Sequence, residues 1–354
     1  MSSPSVSVII PFFNGSRWIE RSLKSVLSQT YPAREILVVD DGSSPAESLF
    51  LNELQSRYPI EVITMSNSGQ SAARNLGVAK ARSDFICLLD QDDYFLPEHI
   101  MTLMDLVDST DDSFAFSYGD LVRVSESGET LAKTCVNVNF QHPLTKLEEM
   151  LRHNMYILPS ATLIKKSAFI SIGGFDESLQ GYEDDDLFLR FFLAGYSNRF
   201  TPESVSAWTV NLSSTSFTEA MARSRFLYFK KLVSVFPEES TESAEIFGKF
   251  LFVRFSFKIA EDVIQSVLST DEFISVRVER LKYVREIVSK SREIRFATRL
   301  GFLVTTAPLV RWTPGKLRYL LLAILRIGPV LRVLRIDLLD QFLTRHSSSK
   351  KIVT

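Results

Sequence analysis

Short apolar runs alternate with segments of helical periodicity through the first part of the chain. The run 6–11 (VSVIIP) is rich in β-branched residues and predicts a buried strand, and the apolar positions from Trp18 to Leu27 have helical spacing. The runs 35–41 (EILVVDD) and 60–65 (IEVITM) predict two more strands, each followed by a helix. Strands that alternate with helices are typical of βαβ units, so the pattern predicts an α/β domain with a mainly parallel sheet.

The stretch 84–93 (DFICLLDQDD) combines a predicted strand with a cluster of acids. Its apolar run ends at Leu89, and the carboxylates Asp90, Asp92 and Asp93 follow at once. Asp90 and Asp92 are two positions apart, so both can project into one crevice and hold Mg²⁺ or Mn²⁺. An acidic turn that caps the next helix would explain the same residues, and this stretch alone leaves both readings open.

Two other polar segments follow predicted strands. Asp41 ends the second strand, and a glycine-containing loop at 66–75 (SNSGQSAARN) carries Arg74 into a helix of small residues. Right-handed crossovers place the carboxyl ends of parallel strands at one edge of the sheet. We therefore expect Asp41, Arg74 and the pair Asp90 and Asp92 to share one cleft.

The middle of the chain predicts further strands and one strongly acidic helix start. The segments 114–124 and 160–165 predict strands, and 147–153 predicts a short helix. The acids at 183–186 (EDDD) open an amphipathic helix that ends at Gly195. The helix macrodipole favours acids there, but a cap and a dipole need only one or two of the four.

Helical periodicity replaces the strand signals from about residue 217 onward. It continues to about residue 343 with few strand signals. We therefore predict an α/β domain at 1–217 and a helical region at 218–354.

Composition narrows the possible functions. Hydrophobic residues make up 45% of the chain and charged residues 23%, which predicts a folded core, and the net charge of −2 gives no argument for nucleic acid binding. Cys87 and Cys135 cannot form a disulfide framework, and the four histidines lack zinc-ligand spacing. The N-terminal residues do not resemble a signal peptide, and no apolar run reaches the roughly 18–20 residues of a membrane span. We expect a cytoplasmic protein.

The C-terminal part is locally basic. Between residues 292 and 335 it carries nine Arg or Lys residues and only one acid, Glu293, with long apolar stretches among them. This pattern favours peripheral contact with a membrane through residues 290–343. A helical bundle that buries its leucines on the α/β domain or in a dimer is the alternative.

Six segments occur in an order that resembles a known family. They are SVIIPFFNG, QTYPAREILVVDDGS, SGQSAARNLG, DFICLLDQDD, GGFDE and YEDDDLFLR. Over about residues 5–217 the chain resembles the inverting family 2 glycosyltransferases, in their non-processive bacterial form. The resemblance implies a GT-A fold, which is a Rossmann-like mixed, mainly parallel sheet flanked by helices, here followed by an α-helical C-terminal region.

The resemblance also implies where a nucleotide-sugar would bind. Pro11, Asn14 and Asp41 would line the nucleotide pocket, with Asp41 accepting a hydrogen bond from the base. Arg74 would be the cationic contact beside the ribose and diphosphate, and Asn75 a polar contact.

The acids of the stretch 84–93 take different roles in this reading. Asp90 would face the ribose and the water shell of a metal, and Asp92 would ligate Mn²⁺ or Mg²⁺ at the diphosphate. Asp93 is the better candidate for a helix cap.

Inversion needs a base that deprotonates the acceptor hydroxyl. The resemblance assigns this role to Asp184, with Glu183 assisting, although Asp185 and Asp186 lie beside it and leave the choice open. Neighbouring carboxylates raise one another's pKa, which suits a base.

Asp176 and Ser160 would shape the acceptor pocket, or serve only the structure of their loops. Asn211 stands where many members of the family have a metal-binding His. No QxxRW motif follows the acidic helix, so we expect transfer of one or a few sugars rather than processive synthesis.

These observations predict an inverting, metal-dependent transfer of a sugar from a uridine-linked donor to a glycan or lipid-linked glycan. The protein would then work on the inner face of the plasma membrane. A non-catalytic scaffold that binds nucleotide-sugars is the main alternative. A nucleotidyltransferase would need a Gly-rich loop with a basic residue to hold a triphosphate, and PFFNGSRW is not such a loop.

Overall fold

A computed structural model describes residues 4–136, 141–210, 219–237 and 241–317. The chain divides into two compact units, residues 1–232 and 233–354. The predicted domain boundary near residue 217 lies outside the described residues. So do Asn211, which stands where many members of the family have a metal-binding His, and the part of the basic region from residue 318 onward.

The first unit is built on one mixed sheet. The strands are β1 (Val6–Phe12), β2 (Glu35–Asp41), β3 (Glu61–Met65), β4 (Phe85–Leu88), β5 (Tyr94–Phe95), β6 (Phe114–Val124), β7 (Thr130–Ala132), β8 (Thr162–Lys165) and β9 (Ser197–Thr209). Their order is β3-β2-β1-β4-β8-β6-β9-β5, and β7 pairs with β6.

The helices of the first unit connect or follow these strands along the chain. They are α1 (Ser16–Leu27), α2 (Pro45–Arg57), α3 (Gln70–Lys80), α4 (His99–Met104), α5 (Leu147–Arg152), α6 (Lys166–Ser171), α7 (Glu183–Leu193) and the greater part of α8 (Glu219–Val235). A short 3-10 helix, Pro159–Ala161, precedes β8.

The predicted βαβ units form the parallel half of the sheet. Strand β1 lies between β2 and β4 and is parallel to both, and β2 is parallel to β3. All of β1 is buried, as expected for a strand with both faces covered. Helix α3 packs closely on this sheet because Gly77 has no side chain: an added Cβ would lie 2.4 Å from Ile9 Cγ2. Because β1, β2 and β4 are parallel, their carboxyl ends lie at the same edge of the sheet.

The other half of the sheet contains strands that the sequence pattern does not predict. Strand β9 is polar and half-exposed along much of its length, so it lacks the alternation that identifies a strand. It pairs in parallel with β6, and the register shifts between Gly119 and Asp120, opposite the segment that contains Pro202. Strand β8 runs antiparallel to β4 and β6, so the whole sheet is mixed.

The described part of the second unit is helical, as predicted for the C-terminal region. It contains α9 (Thr241–Ile246), a π-helix (Phe247–Ser256), α10 (Phe257–Ser269), α11 (Ile274–Lys290) and α12 (Phe296–Arg311). Among the described residues we find no helix whose length and hydrophobicity suit a bilayer crossing.

Candidate active site

The carboxyl end of β2 holds the loop before α3 in place. Asp41 is 4% exposed, and its two carboxylate oxygens accept hydrogen bonds from the backbone N–H groups of Ser68 (2.7 Å) and Gly69 (2.8 Å). Gly42 has a φ of +70°, and an added Cβ would lie 2.6 Å from the backbone nitrogen of Asn67. The predicted base-binding acid therefore also fixes the loop that carries Arg74.

The loop after β1 is tied to the same place. Asn14 is exposed, its Oδ1 accepts a hydrogen bond from Ser44 N (2.9 Å), and its backbone N–H donates to Ser43 Oγ (2.9 Å). Pro11 is buried within β1 opposite Val39. Of these two predicted pocket residues, the structure leaves Asn14 open to a ligand and encloses Pro11 in the sheet.

Arg74 lies at the centre of the cluster. It is 1% exposed, its Nη2 lies 2.5 Å from Asp90 Oδ1, and its Nη1 lies 3.2 Å from Glu183 Oε1. Burial by itself would lower the pKa of Arg74, but the two carboxylates beside it raise that pKa above its ordinary value. Gln70 Nε2 also donates to Asp90 Oδ1 (2.8 Å), a contact that sequence reasoning did not predict. Arg74 thus joins the end of β4 to the start of α7.

Asp93 is not a helix cap, and the structure corrects this prediction. Its carboxylate is 2% exposed and accepts hydrogen bonds from Ser160 Oγ (2.9 Å) and Thr209 N (2.9 Å). Burial, followed by the nearby charges of Asp90 and Asp92, raises the pKa of Asp93 well above its usual range. Ser160 is itself 2% exposed, so the structure places its hydroxyl on Asp93 and not on the wall of an open acceptor pocket.

The four acids at the start of α7 have different environments. Asp185 is buried and its Oδ1 accepts a hydrogen bond from Met155 N (2.9 Å). Asp186 is buried between Arg190 Nε (2.8 Å) and Lys231 Nζ (2.7 Å). Both therefore have structural partners that restrict them.

Asp184 is held differently from its neighbours. Within the described residues its carboxylate accepts a hydrogen bond only from Asp185 N, at 2.8 Å. Desolvation, then the charges of Asp185 and Glu183, raise the pKa of Asp184 well above its usual range, and Arg74 partly opposes this. Glu183 Oε2 is shielded from solvent and accepts no hydrogen bond from the described residues, so it has the capacity to accept one from a bound hydroxyl.

Two predicted contact residues have partners within the protein. Asn75 donates from Nδ2 to the carbonyl oxygen of Phe175 (3.0 Å), and its Oδ1 accepts from Phe175 N (2.9 Å), so it fixes the GGFDE loop. Asp176 lies 2.7 Å from Lys231 Nζ and accepts a hydrogen bond from Ser178 Oγ. The amide of Asn75 thus holds this loop, and its contact with a nucleotide-sugar stays a prediction.

Helix α8 braces the acidic helix start, which sequence reasoning missed. Lys231 bridges Asp176 and Asp186, and the ring of Tyr228 stacks on Tyr182 with centroids 5.6 Å apart. Lys231 lies 38 residues after the end of α7 at Leu193, in a segment with ordinary helical periodicity, so the sequence contains no signal for this role.

The oxygen ligands at the end of β4 suit a divalent metal ion that is shared with a bound substrate. We find no group of three or more His, Cys, Asp or Glu side chains arranged to hold an ion among the described residues. The two carboxylates at the end of β4, Asp90 and Asp92, are both half-buried there. Mg²⁺ typically takes one or two carboxylates together with substrate phosphates, so this pair fits Mg²⁺ or Mn²⁺ as an ion shared with a bound diphosphate.

Comparison with known proteins identifies the family. The model for "Glycosyl transferase family 2" matches residues 7–173. The uncharacterized glycosyltransferase YwdF of Bacillus subtilis is 31% identical over 189 residues, which cover 52% of this chain and 67% of YwdF. This chain belongs to glycosyl transferase family 2. An uncharacterized glycosyltransferase of Rickettsia prowazekii is 30% identical over 192 residues, or 54% of this family 2 chain and 59% of the relative.

The curated relatives differ in length from this family 2 chain. It spans 59% of the Rickettsia prowazekii protein and 18% of a longer relative from Rickettsia bellii.

Solved structures confirm the GT-A type of α/β fold. S. aureus TarS 1–349 in complex with UDP-GlcNAc gives a TM-score of 0.59 at 15% identity, over 92% of each chain. The mannosyltransferase PcManGT from Pyrobaculum calidifontis, in complex with GDP-Man and Mn²⁺, gives 0.51 at 15% identity, over 89% of this family 2 chain and 83% of that one.

Proposed function

We propose that this protein is a glycosyltransferase that moves a sugar from a uridine-linked nucleotide donor to a glycan or lipid-linked glycan, with inversion. The observation that carries the proposal is the environment of Asp184. It is the acid at the start of α7 whose pKa is raised and whose carboxylate accepts a hydrogen bond, among the described residues, only from Asp185 N. A base with a raised pKa suits removal of a proton from an acceptor hydroxyl near neutral pH.

The donor would bind along the edge formed by the ends of β1, β2 and β4. Asp41 already accepts two backbone hydrogen bonds, and a carboxylate has about four lone-pair sites, so it retains capacity for the N–H of a base. Asn14 is exposed beside it. Arg74 supplies a positive charge next to Asp90, where a diphosphate would lie.

Asp90 and Asp92 would hold Mg²⁺ or Mn²⁺ together with the diphosphate. When bound, such an ion neutralises the charge that develops on the departing nucleotide. PcManGT is a neighbour in fold that was solved with Mn²⁺. The reaction also requires that Glu183 and Asp184 receive the acceptor hydroxyl on the side opposite the leaving group.

Thermal unfolding of the full chain with a panel of UDP-, GDP-, CMP- and dTDP-sugars, with and without Mn²⁺ or Mg²⁺, tests the donor. We expect a UDP-sugar to raise the midpoint by several degrees in the presence of metal, because a ligand that binds the native state stabilises it. The anomeric configuration of the product or of the slowly hydrolysed sugar, read by NMR, then tests inversion. Stabilisation by a donor of another nucleotide class alone would contradict the uridine assignment, and retention of configuration would contradict the role of Asp184.

A non-catalytic scaffold is the second candidate, since it would bind the same donors. It predicts stabilisation by a nucleotide-sugar with neither hydrolysis nor transfer. Such a result with every acceptor preparation tested would favour the scaffold.

A further inference from the structure

Helix α12 buries one face and leaves an apolar face open. On the inner side Phe302, Thr306 and Leu309 are 2%, 4% and 6% exposed. On the opposite side, five exposed apolar or glycine positions at helical spacing lie next to one another on the helix surface. We call this surface the outer α12 face, and it comprises Phe296, Ala297, Leu300, Gly301 and Val304.

The outer α12 face has no covering element among the described residues. Phe296, Leu300 and Val304 are 69%, 47% and 62% exposed, and a Cβ added to Gly301 would meet nothing within 4 Å. A helix at the surface of a soluble domain normally carries polar side chains there. An apolar patch at this position therefore marks a contact surface.

The orientation of the helix is fixed from inside the unit. Arg285 Nη1 donates to the carbonyl oxygen of Leu303 (2.6 Å) and to the hydroxyl of Thr306. The ring of Phe302 packs against Phe252 and Phe257, each at a centroid distance of 5.4 Å. These contacts fix the buried side of α12 within the second unit. The outer α12 face is therefore exposed when this unit is folded.

Positive charges flank the outer face at both ends. Arg292 and Arg295 precede it, Arg311 and Lys316 follow it, and all four are exposed. Glu293 is the only acid between residues 292 and 317. The sequence continues with four more arginines and no acid up to residue 335.

We propose that the outer α12 face rests on an anionic phospholipid membrane, with the helix parallel to the surface. Its 16 residues span about 24 Å at 1.5 Å per residue, and its apolar face would enter the boundary between headgroups and acyl chains. The arginine and lysine side chains at the two ends would contact lipid phosphates.

The charge around the outer α12 face favours an anionic membrane over two other partners, a second copy of the protein and the segment 318–335 of the same chain. A second copy of the face would bring the same positive ends into contact, and residues 318–335 carry only positive charge as well. Anionic lipid supplies both the apolar layer and the opposite charge. The proposal extends the proposed function, because a lipid-linked acceptor would lie on this surface, but lipid binding itself needs no donor.

Flotation of the full-length protein with vesicles tests the proposal without any sugar substrate. Vesicles of phosphatidylcholine alone are compared with vesicles that also contain phosphatidylglycerol. The test variant is Leu300→Glu with Val304→Glu, both at exposed positions. The matched control is Val276→Glu with Ile170→Glu, at positions that are 47% and 57% exposed elsewhere on the protein.

We expect the wild type and the control to float with anionic vesicles only, and the test variant to lose at least about tenfold in partitioning. Thermal midpoints of the three proteins within a few degrees of one another establish that all are folded. Equal flotation of the test variant and the wild type, no flotation of the wild type, or equal flotation with neutral vesicles would each overturn the proposal. So would a wild-type dimer in light scattering that the test variant alone dissociates. A failure of sugar transfer would leave these results unchanged.

Discussion

The buried guanidinium of Arg74 and the carboxylate of Asp90 form an ion pair of 2.5 Å at the end of β4. The same guanidinium reaches Glu183 at 3.2 Å, so one cation on α3 connects the strand end to the start of α7. The proposed donor site and Glu183, which is proposed to assist the base Asp184, are thereby connected through a single side chain. This arrangement has consequences for stability as well as for chemistry.

Replacement of Arg74 with Met should destabilise the protein by about 3–5 kcal/mol, because it leaves Asp90 and Glu183 without their buried cation. Urea unfolding of the full chain measures the loss. Arg82→Met is the control, since Arg82 forms ion pairs with Glu35 and Glu61 at a side chain that is 64% exposed. Exposed pairs contribute less than about 1 kcal/mol. Equal effects of the two substitutions would contradict a special role for the buried pair.

Asp184→Asn should lower the rate of transfer by about 10²–10⁴ while donor binding, measured by thermal shift, is retained. An amide cannot accept the proton of the acceptor hydroxyl. The neighbouring Asp185→Asn serves as a control for loss of structure, because Asp185 accepts a hydrogen bond from Met155 N. Turnover by Asp184→Asn at the wild-type rate would remove Asp184 from the reaction.

The contribution of Asp184 to the stability of the folded protein should decrease as the pH rises. Its pKa in the folded protein is raised, so between the ordinary pKa of an Asp and the raised value the folded state holds a proton that the unfolded state has lost. Its contribution to stability therefore falls as the pH rises through that window, while transfer accelerates because the base becomes ionised. Asp184→Asn should raise the thermal midpoint at neutral pH relative to the wild type. A lower midpoint would show that the carboxylate stabilises the fold.

Ser160→Ala should reduce the free energy of unfolding by about 1–3 kcal/mol, because it removes the hydroxyl that donates to buried Asp93. The loss should be larger near neutral pH than in acid, since the hydroxyl favours the ionised form of a carboxyl whose pKa is already raised. Ser28→Ala is the control at an exposed serine. The KM for the acceptor should not change, and a large rise in that KM with stability intact would restore Ser160 to the acceptor pocket.

Lys231→Met should lower kcat by about ten- to hundredfold with little change in donor affinity, because Lys231 positions the start of α7 through Asp186. Lys230→Met is the control, on the same helix and exposed. Lys231→Arg should restore part of the activity by keeping the charge. A parallel loss of donor affinity, or no rescue by arginine, would indicate general damage to the fold and not a positioning role.

The apolar runs and their spacing determined most of the parallel half of the sheet. Strands such as β1 and β4 are buried on both faces, and a continuous apolar run records this directly in the sequence. Because the carboxyl ends of parallel strands lie at one edge of a sheet, the sequence alone predicts that Arg74 and Asp90 lie close together. Strand β9 was not predicted, because its half-exposed polar residues do not alternate with buried apolar residues.

Side-chain pairing was decided only by the tertiary structure. In the sequence, Asp184, Asp185 and Asp186 cannot be told apart. In the first turn of α7 their side chains point in different directions and meet different partners. Met155, Arg190 and Lys231 engage two of these acids, and Asp184 is left with a raised pKa. Asp93 and Ser160 show the same limit, because a buried acid and the hydroxyl that pairs with it lie 67 positions apart in the sequence. Contacts at such separations depend on the packing of the sheet, which local patterns do not encode.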